Sequence, residues 1–144
     1  MSIIFSRRCE YALQAVLYLA LKEGGEKTSI KELTHHIQIP SPFLAKILQD
    51  LTHTGLLKSG KGPHGGFALA KPAREITMFQ IVEAMDGTAF TNGCVLGFTE
   101  CSTTTPCAMH DEWSGIRDRI ADALKKKDLA VMAKQMRKPE YLEA

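Results

Sequence analysis

The sequence predicts a mainly α-helical protein with one small β-hairpin. Three observations carry that expectation. Two short helical patterns follow one another across a tight turn in residues 30–54. A glycine-rich segment between two short apolar runs comes next, in residues 56–69. A segment with three cysteines then precedes the longest helical pattern of the chain. Helix, turn, helix and hairpin in this order describe a winged helix-turn-helix head, and the long helix behind it reads as a dimerisation element.

The composition fits such a protein. With 144 residues and 44% hydrophobic content, the chain can bury a core without covalent staples. The N-terminus carries its charges after a short apolar stretch, unlike a signal peptide, and the longest mostly apolar run, Tyr11 to Leu21, is too short to span a bilayer. A cytoplasmic protein without membrane association is expected. Net charge is only +2, but it is unevenly spread: residues 1–75 carry ten Lys/Arg against six Asp/Glu, residues 76–144 eight against ten. A basic front half suits contact with phosphates, and equally a solvated basic face.

Taken in order, Tyr11 to Lys22 reads as a helix with Leu13, Val16, Leu17, Ala20 and Leu21 on one stripe. Ala12, Ala15 and Leu19 make its other side apolar too, so it is either a central core helix or covered by a second subunit. Gly24 and Gly25 are expected to end it. Ser29 or Thr28 caps a second helix, Ile30 to Ile37, with Glu32 at the capping-box position. Pro40 breaks the chain, and Ser41 is expected to cap a third helix, 41–54, with Pro42 in its first turn. Leu44, Ile47, Leu48 and Leu51 form the apolar stripe of that helix and Gly55 stops it.

Leu56 to Ser59 and Gly66 to Leu69 read as two strands joined by a glycine-rich loop with a positive tip. A helix of this kind fits the major groove of a duplex, and a slim hairpin tip fits the neighbouring minor groove, where negative potential attracts Lys61. Double-stranded DNA is the expected partner. The candidate contacts are Ser41, Pro42, Phe43, Lys46 and Gln49 on the helix, and Ser59, Lys61, Gly62 and His64 on the wing. Gln49 can pair with an adenine edge, and the wing glycines let backbone approach phosphates. Arg7 and Arg8 could touch the DNA backbone but read first as a solvated terminus.

Thr77 caps a helix over Met78 to Ala84, which Gly87 ends. Beyond the cysteine segment, Asp111 to Lys127 forms the longest helix. Trp113, Ile116, Ile120 and Ala123 recur every three to four residues with Leu124 alongside, a narrow seam suited to pairing across a two-fold axis in a homodimer. Asp128 caps a last helix, Leu129 to Met136, and a frayed tail is expected from Pro139. The chain thus divides into a head (1–87), a cysteine-rich loop (88–110) and a dimerisation helix with its tail (111–144).

In the loop, six residues separate Cys94 from Cys101, five separate Cys101 from Cys107, and two separate Cys107 from His110. Intervening Gly, Thr, Ser and Pro let the segment curl so that its thiols converge. Thiolates are soft ligands that suit an iron–sulfur cluster, zinc or cuprous copper. The spacing is unlike the two- to four-residue gaps of structural zinc sites. Redox-sensing thiols and inert cysteines are the other readings. Cys107 and His110 could pair as nucleophile and base, but no third orienting group or phosphate loop accompanies them, so no catalytic residue is expected.

EYALQAVLYLA, SPFLAKILQDLTHTGLL and GKGPHGGFAL, followed by three cysteines before a long helix, together resemble the winged-helix regulators typified by IscR, NsrR and CymR, the Rrf-two family. The resemblance covers nearly the whole chain. It implies a homodimeric transcriptional regulator with an iron–sulfur cluster, 2Fe–2S or 4Fe–4S, beside each DNA-binding head. Cys94, Cys101 and Cys107 would be its cysteine ligands. His110 resembles the fourth ligand of IscR, and Glu10 the carboxylate that members like NsrR contribute from the partner subunit. Cys9 is a further candidate that reads better as core. Lys61 stands where the family often has arginine, and lysine lacks the planar fork for reading the minor groove.

Overall fold

The structure is a computed structural model and describes residues 4–22 and 25–136. The core is built around α1 (Arg7–Ala20), whose Cys9, Ala12, Ala15, Val16, Tyr18 and Leu19 are buried. Around it lie α2 (Ile30–Ile37), α3 (Ser41–His53), the hairpin β1 (Leu57–Gly60) and β2 (Gly66–Leu69), α4 (Met78–Asp86) and α7 (Leu129–Gln135). Two further helices, α5 (Ala89–Asn92) and α6 (His110–Lys126), flank the cysteine loop.

Several boundaries differ from the sequence expectation, each for a local reason. Helix α1 starts at Arg7 rather than Tyr11, because the Ser6 hydroxyl accepts the Cys9 N–H at 3.1 Å and caps the helix a turn earlier. It ends at Ala20, where the Leu21 N–H folds back onto the Leu17 and Tyr18 carbonyls; Gly24, the expected stop, lies outside the described residues. Its fully buried face runs through Ala12, Ala15, Val16 and Leu19, while Leu13 and Leu17 are only half-buried. The small Ala12 and Ala15 lie on this buried face of α1, which packs with α3 and α4.

Ser29 caps α2 as expected, accepting the Glu32 N–H at 3.1 Å. The Glu32 carboxylate does not close a capping box. It turns to Lys22 Nζ (2.5 Å) and the Tyr18 hydroxyl (3.0 Å), which tie α2 to α1. Ser41 is the first residue of α3 rather than its cap; Pro40 holds that position and makes no side-chain hydrogen bond. The end of α3 is a Schellman closure. Gly55, with φ of 83°, places its N–H on Thr52 and the Leu56 N–H on Leu51 at 3.2 Å.

The hairpin pairs Leu57 with Leu69 and Gly60 with Gly66 in antiparallel register, one residue further along β1 than expected. Thr28 bridges to Phe67 through two backbone hydrogen bonds of 2.8 and 2.9 Å, which pin the wing to the entry of α2. Gly66 makes this possible: at φ of 132° it has no Cβ to collide with the Thr28 carbonyl.

Thr77 and Gln80 form a complete capping box on α4. That helix runs two residues beyond expectation, burying Met85, before Gly87 ends it. A short 3-10 turn (Ala73–Glu75) and α5 had no sequence signal strong enough to read. Helix α6 starts one residue early, at His110, and buries only Leu124 fully. Asp128 caps α7 through the Val131 N–H at 2.9 Å, and the Leu129 N–H donates to the Ile76 carbonyl at 2.8 Å, returning the chain to the head. The frayed tail expected from Pro139 lies outside the described residues. Among the described residues no helix is long and apolar enough to cross a membrane.

Candidate cysteine centre and nucleic-acid face

The cysteine loop is fixed at both ends. At its start the Gly93 N–H donates to Ala89 at 2.6 Å, closing α5. The Gly93 carbonyl accepts from Trp113 Nε1 at 3.2 Å and from Arg117 at 2.7 Å, both on α6. At its end the His110 N–H donates to the Cys107 carbonyl at 3.1 Å, so His110 opens α6. Between these anchors Gly97 turns at φ of 82°, with its N–H on the Cys94 carbonyl. Ser102 and Thr105 brace a second turn, where Thr105 Oγ1 donates to the Glu100 carbonyl at 2.7 Å.

These turns bring the thiols together. The Sγ atoms of Cys94, Cys101 and Cys107 all lie within 4.8 Å of one another, each partly buried. Cys94 and Cys107 approach to 3.5 Å. Cys101 lies 3.3 Å from His110 Nδ1 and accepts the Cys107 N–H at 3.4 Å. Desolvation pushes the Cys94 thiol up, but hydrogen bonds from Phe98, Cys107 and Leu96 outweigh it and bring it down to about 7. Desolvation, with the neighbouring sulfurs, raises Cys107. Three soft thiols with an adjoining imidazole are a donor set that fits iron, in a cluster, or zinc. The Cys94–Cys107 separation of 3.5 Å is close to the spacing of about 3.8 Å expected between two thiolates on one tetrahedral ion with metal–sulfur bonds of about 2.3 Å.

Two other candidates sit elsewhere. Cys9 is buried in α1, and burial pushes its thiol up to about 12, so it is a core residue. Glu10 is half-buried on α1, 3.8 Å from Arg7, and does not join its own chain's thiols.

On α3, Ser41, Pro42, Phe43, Lys46 and Gln49 are all exposed, while Leu44, Ile47, Leu48 and Leu51 on the opposite side are fully buried. Phe43 rests edge-on against Tyr11, with ring centroids 5.6 Å apart. Ser59, Lys61, Gly62 and His64 are exposed on the wing, whose tip turns at Gly62 with φ of 91°. Sequence reasoning missed the polar link beneath this face: Arg8 pairs with Asp50 and donates to the Met85 carbonyl at 3.2 Å, and so is not a solvated terminus. Its only sequence signal was a cation one turn from a buried stripe. Of the residues expected in a dimer seam, Trp113 donates to the Gly93 carbonyl, Leu124 is buried within the chain and Ile116 is 46% exposed.

The profile of Rrf2, described as iron-dependent transcriptional regulators, matches residues 5–135. The chain belongs to the Rrf2 family. A helix-turn-helix-type regulator named in Aquifex aeolicus is 37% identical over 125 residues, 85% of this chain and 86% of the relative. IscR of Pectobacterium atrosepticum is 30% identical over 114 residues, 79% of this chain and 69% of the relative. Among solved structures, CymR of B. subtilis, named the global cysteine regulator, superposes with a TM-score of 0.80 at 25% identity, covering 93% of this chain and 98% of that one. IscR of T. potens gives 0.71 at 27% identity, covering 94% and 89%. These Rrf2 relatives are transcriptional regulators rather than enzymes, and the winged-helix architecture is theirs.

Proposed function

We propose that the chain is a cytoplasmic, homodimeric regulator whose operator binding is controlled by an iron–sulfur cluster. The observation that carries this is the convergence of Cys94, Cys101 and Cys107, with His110 Nδ1 3.3 Å from Cys101. The three cysteines would hold the cluster, with His110 as the fourth ligand from the same chain. Glu10 of the partner subunit is the competing fourth ligand. Bound there, the cluster supplies a centre whose oxidation, nitrosylation or loss reports redox or iron status.

The chain's own residues supply the readout. Trp113 and Arg117 grip the Gly93 carbonyl, so a change in loop width is passed to α6. The exposed Ile116 side of α6 is the proposed subunit contact. A dimer presents two α3 helices, and half-sites about 34–36 Å apart demand a matched spacing. Ser41, Pro42, Phe43, Lys46 and Gln49 would enter the major groove, with Ser59, Lys61, Gly62 and His64 beside it. In this reading residues 1–87 bind DNA, 88–110 sense and 111–144 dimerise. A coupling of about 1–3 kcal/mol between loop and head suffices for regulation.

A second reading is favoured by the 3.5 Å approach of Cys94 and Cys107, which suits a thiol pair sensing oxidants, or one zinc ion. Anaerobic purification separates the two. The proposal expects stoichiometric iron and inorganic sulfide with visible charge-transfer absorption, and operator affinity that changes when they are removed. Colourless protein that takes up zinc but cannot be loaded with iron and sulfide would overturn it.

A further inference from the structure

Beneath the exposed face of α3, Asp50 divides its two carboxylate oxygens between two cations. One oxygen takes Arg8; the other lies 3.2 Å from Lys46 Nζ. The two cations differ in standing. Lys46 is 70% exposed and points to where a duplex would lie, whereas Arg8 is held from behind. Its second guanidinium nitrogen donates to the Met85 carbonyl in the last turn of α4. One residue on, Asp86 accepts from the Ser6 N–H at 2.9 Å and from the Ser6 hydroxyl at 2.5 Å. The start of α1 is therefore tied to the end of α4, and from there the chain passes through Gly87 and α5 to Gly93 and Cys94.

A carboxylate on a DNA-facing helix opposes binding in two ways. It repels phosphates, and at i,i+4 spacing it captures the lysine that would meet them. Arg8 counters both, because it supplies the opposite charge and occupies one of the two oxygens. Arg8, with Lys46 second, also holds the Asp50 carboxyl below its ordinary range. We infer that Arg8 is a positioning residue for DNA binding, neutralising Asp50 so that Lys46 is presented to a phosphate, and doing so only while α1 and the end of α4 stay in register. A shift at the end of α4 that withdraws Arg8 leaves Asp50 uncompensated and strengthens its existing hold on Lys46, a hold that Lys46 gives up for a phosphate while Arg8 is in place. This rests on the DNA-binding reading of α3, and not on the identity of any metal.

The test measures binding of the full chain to a mixed-sequence duplex of about three helical turns across a salt series. R8Q is expected to weaken binding about three- to tenfold and, through the captured Lys46, to lower the salt slope by about one, as K46A does. D50N is expected to bind at least as tightly as the parent, and R8Q/D50N to return to within about twofold of D50N with the parental slope. An Arg8 that served only the fold would lower thermal stability without rescue by D50N. R8Q at parental affinity, or R8Q/D50N as weak as R8Q, overturns the inference. Where R8Q proves too unstable to measure, D50N decides alone, since D50N weaker than the parent also overturns it. A parent chain that binds no duplex even at low salt sinks the DNA-binding reading instead.

Discussion

Trp113 Nε1 lies 3.2 Å from the carbonyl oxygen of Gly93, the residue before the first cysteine of the loop. Trp113 is the single tryptophan of the chain, so its fluorescence reports on one site, the contact of α6 with the start of the loop. Loading the protein with iron and sulfide, or with zinc, is expected to change its emission. W113F is expected to keep the fold but lose bound metal about two- to tenfold faster, the worth of one hydrogen bond. Emission indifferent to loading would show that α6 does not feel the loop.

The four proposed loop ligands should not be equal. Cys101→Ala removes the thiol that contacts both His110 and the Cys107 N–H, and is expected to abolish retention of iron and sulfide. His110→Ala, leaving three thiols in place, is expected to retain a more labile centre. Parallel iron and sulfide assays after anaerobic gel filtration check this; equal loss in both variants would assign His110 the same weight as a cysteine.

Opposite faces of α3 predict opposite phenotypes. Leu48 is fully buried, so Leu48→Ala should cost about 2–5 kcal/mol in denaturant unfolding. Gln49 is exposed, so Gln49→Ala should change stability by no more than about 0.5 kcal/mol while costing about 1–3 kcal/mol in operator binding where it meets an adenine. A Gln49 variant with unchanged affinity for the operator and for its single-base variants would remove that residue from base reading.

The wing depends on Gly66. Gly66→Ala forces a Cβ against the Thr28 carbonyl at a positive φ, and should cost about 1–3 kcal/mol. Amide exchange at Thr28 and Phe67 is the measurement: both amides should lose protection together, because they form the same bridge. Protection unchanged in the variant would mean that the wing is held by its side chains instead.

Glu32 sets an acid limit. Its hydrogen bond with Lys22, and more weakly that with Tyr18, depresses the folded-state pKa below the ordinary glutamate value. A depressed carboxylate contributes stability that is full above its unfolded pKa of about 4.3 and is lost as pH falls through the folded value. The parent should therefore lose more stability than Glu32→Gln between about pH 5 and pH 3. The two should differ by a constant amount above pH 6. Parallel melting-temperature curves over the acid range would rule this pair out as the source. The side chain is partly exposed, so the effect is small.

Much of the helical framework was legible because its signals are local. Ser29, Thr77 and Asp128 announce helix starts by chemistry that acts within three residues. The apolar stripe of α3 and the glycines of the wing are likewise read within a few positions. What escaped depends on partners far along the chain. Glu32 has the sequence spacing of a capping box, yet Lys22 and Tyr18 across the α1–α2 contact compete for it and win. Arg8 meets Asp50 and Met85 at separations of 42 and 77 residues, which no window reveals. Trp113 lies on the expected helical seam, but its indole serves Gly93. In the site, the three thiols were legible from spacing; the Gly93 anchor, which is a bare carbonyl, could not be.

Helix α6 is secured at both of its ends. Its first residue is bonded to Cys107, and beyond its last turn the chain is fastened to Ile76 through Leu129. A rod clamped at two points cannot swing on one hinge. Any torque applied at the sulfur end must either bend the rod or reappear at the far clamp, where Leu129 meets Ile76, and under the proposed function that would give the cysteine loop leverage over the DNA-facing surface.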